Sequence, residues 1–164
     1  MNIKNLKSHF FSELQTIQEE SEIESFFFIL TEYLLNLKRI DISLNPDFEV
    51  SETDLETWNT IISELKTEKP IQYITGETWF YGYRFEVNEN TLIPRPETEE
   101  LVEWIIESQK SKVKSQKSKA ENLTIQQSNH LSILDIGTGS GCIPIALKKE
   151  IPNLLICGDY NICH

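Results

Sequence analysis

The run ILDIGTGSGC places Gly137, Gly139 and Gly141 at alternate positions behind the acid Asp135. Glycine has no Cβ, so a ligand can approach the main chain of such a loop closely. An apolar run precedes the loop and a helical pattern follows it, an order that aims backbone N–H groups and the positive end of a helix at one spot. The pattern predicts a ligand site built mainly from backbone.

A second acid, Asp159, ends the next apolar run, NLLICGD. An acid at the tip of the neighbouring strand is placed to accept hydrogen bonds from two ribose hydroxyls. Together with the glycine loop, it predicts a site for a cofactor that contains a nucleoside. A nicotinamide oxidoreductase stays open as an alternative, but its loop has the order G-x-G-x-x-G, whereas Cys142 stands here where the last glycine would fall.

The elements around these residues are a strand, the glycine loop, a helix and a second strand, the opening half of a Rossmann-like unit. LSILDIG is apolar, as a buried parallel strand requires, and CIPIALKKE is a helix in which Pro144 fits only the first turn. This part of the chain is therefore predicted to be α/β.

Residues 1 to about 70 predict a helical bundle. Apolar residues recur at steps of three and four in the first and third of three stretches, which indicates amphipathic helices, and the second stretch is apolar around much of its circumference, which indicates a central helix. The segment NPDF at 45–48 is a turn signal. The stripes are Ile3, Leu6, Phe10, Leu14 and Ile17; residues 26–37; and Leu55, Trp58, Ile61, Ile62 and Leu65.

Aromatic and β-branched residues dominate after Pro70, and they predict a β-hairpin or two linked strands from about residue 78 to 93. PRPETEELVEWII then begins a helix, because Pro96 suits a first turn and the glutamates suit its positive end. The pentamer SQKSK follows at 108–112 and again at 115–119. We interpret 108–130 as a flexible, solvated insertion, with a basic patch for nucleic acid as the alternative.

Composition narrows the classes of protein. A net charge of −11 over 164 residues argues against binding along a phosphate backbone. The three cysteines have no zinc-ligand spacing, so we expect reduced thiols, no metal site and a cytoplasmic protein. The apolar run SFFFILTEYLLNL contains Glu32 and is shorter than a membrane span of about 20 residues. We expect a monomer that is not bound to a membrane.

Two segments together point to one family. PIQYITGETWFYGYRFEVNENTLIPRPETEELV at 70–102, followed by ILDIGTGSGCIPIAL, resembles the peptide chain release factor glutamine methyltransferases, the HemK/PrmC family. Its most specific phrase is IPRPETE at 93–99. The resemblance implies an α/β protein with a helical, substrate-recognition domain (1–74), a β-hairpin linker (75–95) and the first part of a Rossmann-like methyltransferase domain (96–164).

The same resemblance implies methyl transfer from S-adenosylmethionine to the glutamine amide of the Gly-Gly-Gln motif in release factors, which act in translation termination. It implies that Asp135 orients the loop, that Asp159 takes the ribose hydroxyls and that Arg95 and Thr98 line the cofactor pocket. A strand-end cap for Asp135 and a plain helix N-terminus at Arg95 are the structural alternatives. The residues implied to hold the methionine and ribose are Gly137, Thr138, Gly139, Ser140 and Gly141.

The sequence also departs from the family. The amide-holding motif Asn-Pro-Pro-Tyr does not occur in it, so we assign no catalytic residue. We expect a C-terminally truncated member, from a shifted reading frame or an incomplete gene, that binds its cofactor weakly and does not turn over. A ribosomal-protein glutamine or nucleic-acid amino methyltransferase, and a non-catalytic fragment that binds a release factor, are the alternatives.

Overall fold

A computed structural model describes residues 1–117 and 132–158. The chain is mainly helical, with small sheets, and divides into two compact units, Met1–Thr75 and Gly76–His164. The first unit contains α1 (Ile3–Leu14), α2 (Glu20–Leu35), α3 (Arg39–Leu44), α4 (Glu52–Leu65) and α5 (Ile71–Thr75). The second contains β1 (Glu77–Phe80), β2 (Tyr83–Glu86), α6 (Glu97–Lys117), β3 (Ser132–Asp135), α7 (Cys142–Glu150) and β4 (Leu155–Gly158).

Three aromatic rings form the centre of the first unit. Phe10, Phe27 and Trp58 are fully buried, and their ring centroids lie 5.4–5.8 Å apart. Such tilted and edge-on pairs contribute about 0.5–1.5 kcal/mol each beyond the burial of their area. The rings come from α1, α2 and α4, so each predicted apolar stripe supplies one of them. The helices predicted for this part of the chain are present.

The first unit also corrects two details. Ile17 does not continue the stripe of α1, because that helix ends at Leu14 and the Ile17 side chain is 40% exposed. Two short helices, α3 and α5, were not predicted; α3 buries none of its residues, so no apolar stripe marks it. The segment NPDF is a turn, as expected, in which the Phe48 N–H donates to the Asn45 carbonyl at 3.2 Å.

The β-hairpin is shorter than predicted and packs as part of the second unit. Its two turn residues, Tyr81 and Gly82, both have positive φ (51° and 75°), as a two-residue type I′ turn requires. The strands end at Glu86 rather than near residue 93. Phe80 and Phe85 on the inner face join the core formed with α6 and α7. The sequence suggested a linker at 75–95, whereas these strands carry part of a core.

The strands β3 and β4 pair in parallel, with α7 as the connection between them. Side chains alternate between the two faces of a sheet. Ile133 and Ile156 lie side by side and are half-buried against the core of the second unit. On the opposite face, Leu134 and Leu155 are 65% and 56% exposed. The described sheet therefore has one covered and one open apolar face.

Helix α6 begins at Glu97, directly after Pro96, with three glutamates in its first turn. It continues to Lys117, so 108–117 is helical and does not form an irregular insertion. Serine, glutamine and lysine do not break a helix, so this extension costs little. The remainder of the predicted insertion lies outside the described residues. None of the described helices is long and apolar enough to cross a membrane.

Candidate functional site

The loop between β3 and α7 depends on glycine at three positions. Gly137, Gly139 and Gly141 have φ of 74°, 58° and 75°, in the left-handed region that L side chains disfavour. A Cβ on Gly141 would lie 3.2 Å from Cδ1 of Ile145, whereas one on Gly137 would meet no atom within 4 Å. Gly141 thus leaves room for the Ile145 side chain of the same helix, and the loop at Gly137 leaves open space beside the backbone.

The N-terminus of α7 follows this loop and has no side-chain cap. Its N-cap is Gly141, which provides no side-chain acceptor, and no acidic residue stands in the first turn. The Gly141 N–H itself donates to the Thr138 carbonyl at 3.0 Å. Lys148 and Lys149 in the last turn complement the negative end of the helix. The positive end therefore remains available to an anionic group, such as a carboxylate.

Two buried oxygens beside the loop have no hydrogen-bond partner among the described residues. They are Oδ2 of Asp135 and Oγ1 of Thr138. A buried polar atom left unpaired costs about 1–3 kcal/mol, so such atoms usually serve a partner. A carboxylate oxygen and a hydroxyl suit a ligand that carries ammonium or hydroxyl groups.

Cys142, the residue that breaks the dinucleotide pattern, faces inward. Its side chain is 8% exposed, and burial raises the pKa of the thiol above its ordinary value, against the opposing effect of a hydrogen bond with Ser140. The charge of Asp135 raises the pKa further. The thiol therefore stays protonated at neutral pH. It packs α7 against the core and is not placed as a nucleophile.

The structure brings some of the predicted site residues together and leaves others apart or undescribed. It brings Asp135 and the loop through Gly141 together around the start of α7. Arg95 is exposed and Thr98 half-buried, and the Thr98 N–H donates to the Arg95 carbonyl at 3.0 Å in the first turn of α6. Within the described ranges neither side chain bonds to the loop, so their pocket role stays a prediction. Asp159 lies outside the described residues.

Sequence reasoning missed two features of this site. Ile145 approaches the Gly141 backbone, and the only sequence signal was the helical spacing of four residues between them. The unpaired oxygen of Thr138 had no signal, because burial of a single atom depends on the surrounding fold. No cluster of three or more His, Cys, Asp or Glu side chains in the described segments is arranged to bind a metal ion.

Comparisons with known proteins all point to the same family. Residues 6–76 match the PrmC N-terminal domain family. The chain is 53% identical over 153 residues to the release factor glutamine methyltransferase of Flavobacterium psychrophilum, which covers 93% of this chain and 49% of the relative. The enzyme of the same name from Streptococcus pneumoniae is 40% identical over 154 residues, 93% of this chain and 48% of the relative.

The chain belongs to the release factor glutamine methyltransferase family. The alignment with the Flavobacterium protein covers 93% of this chain, so it includes the glycine loop at Asp135–Cys142. The family relationship therefore extends beyond the helical unit. The chain spans about half the length of these release factor glutamine methyltransferases.

Proposed function

We propose that this chain carries the cofactor-binding part of an S-adenosylmethionine-dependent methyltransferase that modifies the glutamine amide in the Gly-Gly-Gln motif of peptide chain release factors. The observation that supports the proposal is the loop from Asp135 to Gly141. It combines positive-φ glycines, a helix N-terminus without a side-chain cap and two buried oxygens that have no partner among the described residues, in a chain of this family.

The proposed fold of this part is Rossmann-like. The parallel pair of β3 and β4, with α7 between them in sequence, is the repeating unit of such a fold. In it, the ligand sits beyond the carboxyl ends of the strands, and the glycine loop follows the carboxyl end of β3. This position of the glycine loop supports the proposed cofactor site, because Rossmann-like folds bind nucleotides there.

The proposal assigns roles to several groups in and around the loop. The uncapped N–H groups at the start of α7 would bind the methionine carboxylate, and the Asp135 and Thr138 oxygens would accept from its ammonium group or the ribose. Asp159 is proposed for the ribose hydroxyls, and Arg95 and Thr98 for the pocket wall. The residues proposed to surround the cofactor are Asp135, Gly137, Thr138, Gly139, Ser140 and Gly141. The cofactor supplies the activated methyl group.

The protein's contribution to such a reaction is orientation. An amide nitrogen is a poor nucleophile, so rate enhancement has to come from alignment with the methyl group and from electrostatic stabilisation. The chain has no Asn-Pro-Pro-Tyr segment to hold the amide, and the open face at Leu134 and Leu155 leaves the described sheet uncovered on one side. We therefore propose that the 164-residue chain alone binds the cofactor weakly and turns over little.

The protein substrate is proposed to be a release factor, and the cellular location the cytoplasm, where translation factors act. A net charge of −11 favours a protein partner over nucleic acid. A monomer is the simplest state compatible with one site per chain. A ribosomal protein or DNA as substrate is the competing possibility.

A chimaera tests the proposal directly. Residues 1–158 would replace the corresponding half of the Flavobacterium enzyme, and methylation of a release factor glutamine would be followed by mass spectrometry. We expect methylation of the release factor, and loss of it when Asp135→Ala is introduced. Equal methylation of ribosomal proteins or DNA, or binding of NAD in place of S-adenosylmethionine, would contradict it. For the chain alone, calorimetry showing micromolar cofactor binding would contradict the weak binding.

A further inference from the structure

A groove between α1 and α2 lies entirely within the first unit and shares no residue with the glycine loop. It encloses about 770 Å³ and is open to solvent. This volume is within the range of about 300–1,000 Å³ that ligand sites occupy. Its walls are Lys4, Lys7, Ser8 and Phe11 from α1 and Glu20, Ser21 and Glu24 from α2.

The middle of the groove holds the Glu24 carboxylate between two cations, Lys7 and Arg39. Nζ of Lys7 lies 2.9 Å from Oε1 of Glu24 and 5.5 Å from the centroid of the Phe11 ring. The same Nζ lies 4.9 Å from the Phe28 ring, and the Arg39 guanidinium is 4.5 Å from that ring. The hydrogen bond and charge of Lys7 hold the pKa of Glu24 below its ordinary value. This part of the groove therefore offers mostly aromatic surface and lysine stem.

The two ends of the groove carry opposite charges. Because α1 and α2 are joined by a short connection, they run antiparallel, and the Lys7–Glu24 pair fixes their register. Lys4 lies one turn before Lys7 and Glu20 one turn before Glu24, so they stand at opposite ends, about 10 Å apart along the helix axes. Both are exposed, and among the described residues neither forms an ion pair.

We propose that this groove binds a segment of the protein substrate in which an acidic, an apolar and a basic side chain follow one another. The acid would meet Lys4, the apolar side chain the rings near Lys7, and the base Glu20. An extended chain advances about 3.3 Å per residue, so the two charged residues should be about three positions apart. The inference rests on the proposed function only in taking the protein substrate as the occupant.

A protein segment suits the groove better than a small molecule. Sites for small molecules bury most of their ligand, whereas this groove is open along two helices. The first unit carries 14 Asp and Glu against 6 Lys and Arg, so Lys4 is an exposed cation on an acidic surface, without an ion pair among the described residues. Opposite charges at a fixed separation select the direction of a bound peptide, which a single charged patch does not.

Charge reversal at the two ends tests the proposal. Binding of a full-length release factor to the full chain would be measured by isothermal titration for Lys4→Glu and Glu20→Lys. Each variant is expected to weaken binding about tenfold or more, because it places like charges together. Lys38→Glu and Glu56→Lys, at exposed positions of the same unit outside the groove, serve as matched controls and should stay within about twofold. Thermal melts verify that each variant is folded.

The possible outcomes distinguish a wrong docking site from a wrong partner. If the release factor binds the unchanged chain and the groove variants bind as tightly as the controls, the groove is not the docking site, while the proposed partner stands. If the unchanged chain does not bind a release factor, the proposed partner is wrong and the inference is overturned with it. Selective loss in the two groove variants supports both.

Discussion

The two units of this protein solve the burial of apolar surface differently. In the first, Phe10, Phe27 and Trp58 meet in the middle of a helical core and are fully buried. In the second, the sheet of β3 and β4 is covered on the side of Ile133 and Ile156 and open on the side of Leu134 and Leu155. Parallel strands need cover on both faces, whereas helices close a core in pairs. The first unit is therefore expected to provide stability, and the second ligand chemistry.

The largest expected effect on stability comes from a substitution in the core of the first unit, compared with one on the open sheet face of the second. Phe27→Ala removes the ring that contacts both Phe10 and Trp58, and a substitution of this kind costs about 3–5 kcal/mol of unfolding free energy. Leu155→Ala on the open sheet face should change it by less than about 0.5 kcal/mol. Urea unfolding followed by circular dichroism measures both. Similar losses from the two substitutions would mean that the open face is covered in solution.

The next effect concerns the glycine loop. Gly141→Ala should destabilise the second unit by about 1–3 kcal/mol, because it adds a left-handed strain to a Cβ contact at 3.2 Å with Ile145. Gly137→Ala is the matched control, with the same strain and no contact within 4 Å. Hydrogen exchange of the α7 amides reports the difference. Equal exchange in the two variants would show that packing at Gly141 is unimportant.

The smallest effects are opposite pH dependences of the two units. Lys7 lowers the pKa of Glu24 from 4.5, so this pair stabilises the first unit above that pH and is lost as the pH falls through the lowered value. In the second unit, the hydrogen bond that Tyr83 donates to Glu150 raises the tyrosine pKa above 10.0. That contribution is complete below pH 10 and is lost as the pH rises through the raised value.

The stability of each unit would be measured across acidic and alkaline pH by thermal melts, with amide exchange reporting on each unit separately. The fall in stability at low pH is called the acidic limb, and the fall at high pH the alkaline limb. Lys7→Met should flatten the acidic limb in the first unit alone, and Tyr83→Phe the alkaline limb in the second alone. A variant that flattens the limb of the other unit would show that the two pairs do not act locally.

Sequence reasoning succeeded where the signal is local. The stripes through Phe10 and Trp58 predicted buried helix faces, because helical periodicity is written in consecutive residues. It was wrong at Ile17, where the chain turns after Leu14, and at 108–117, which extends α6. Neither a helix end without a glycine nor a continued helix of polar residues has a strong local signature.

The candidate site likewise has features that could be predicted from local sequence and features that could not. The bare loop at Gly137, Gly139 and Gly141 was predictable, since only glycine tolerates such a backbone without strain. The unpaired oxygens of Asp135 and Thr138 were not, because burial of one atom depends on residues distant in sequence. The roles of Arg95 and Thr98 remain predictions, because neither side chain bonds to the loop in the described ranges, and Asp159 lies outside the described residues.

The sequence by itself determined the helices of the first unit, the strand, loop and helix order of the second, and the glycines whose positive φ the loop requires. Only the tertiary structure decided which faces are covered. Leu134 is as apolar as Ile133, and Leu155 as apolar as Ile156, so no pattern within either strand distinguishes the two sides. The core formed with α7 decides which face of the sheet is covered, because it packs against Ile133 and Ile156 and leaves the leucines exposed.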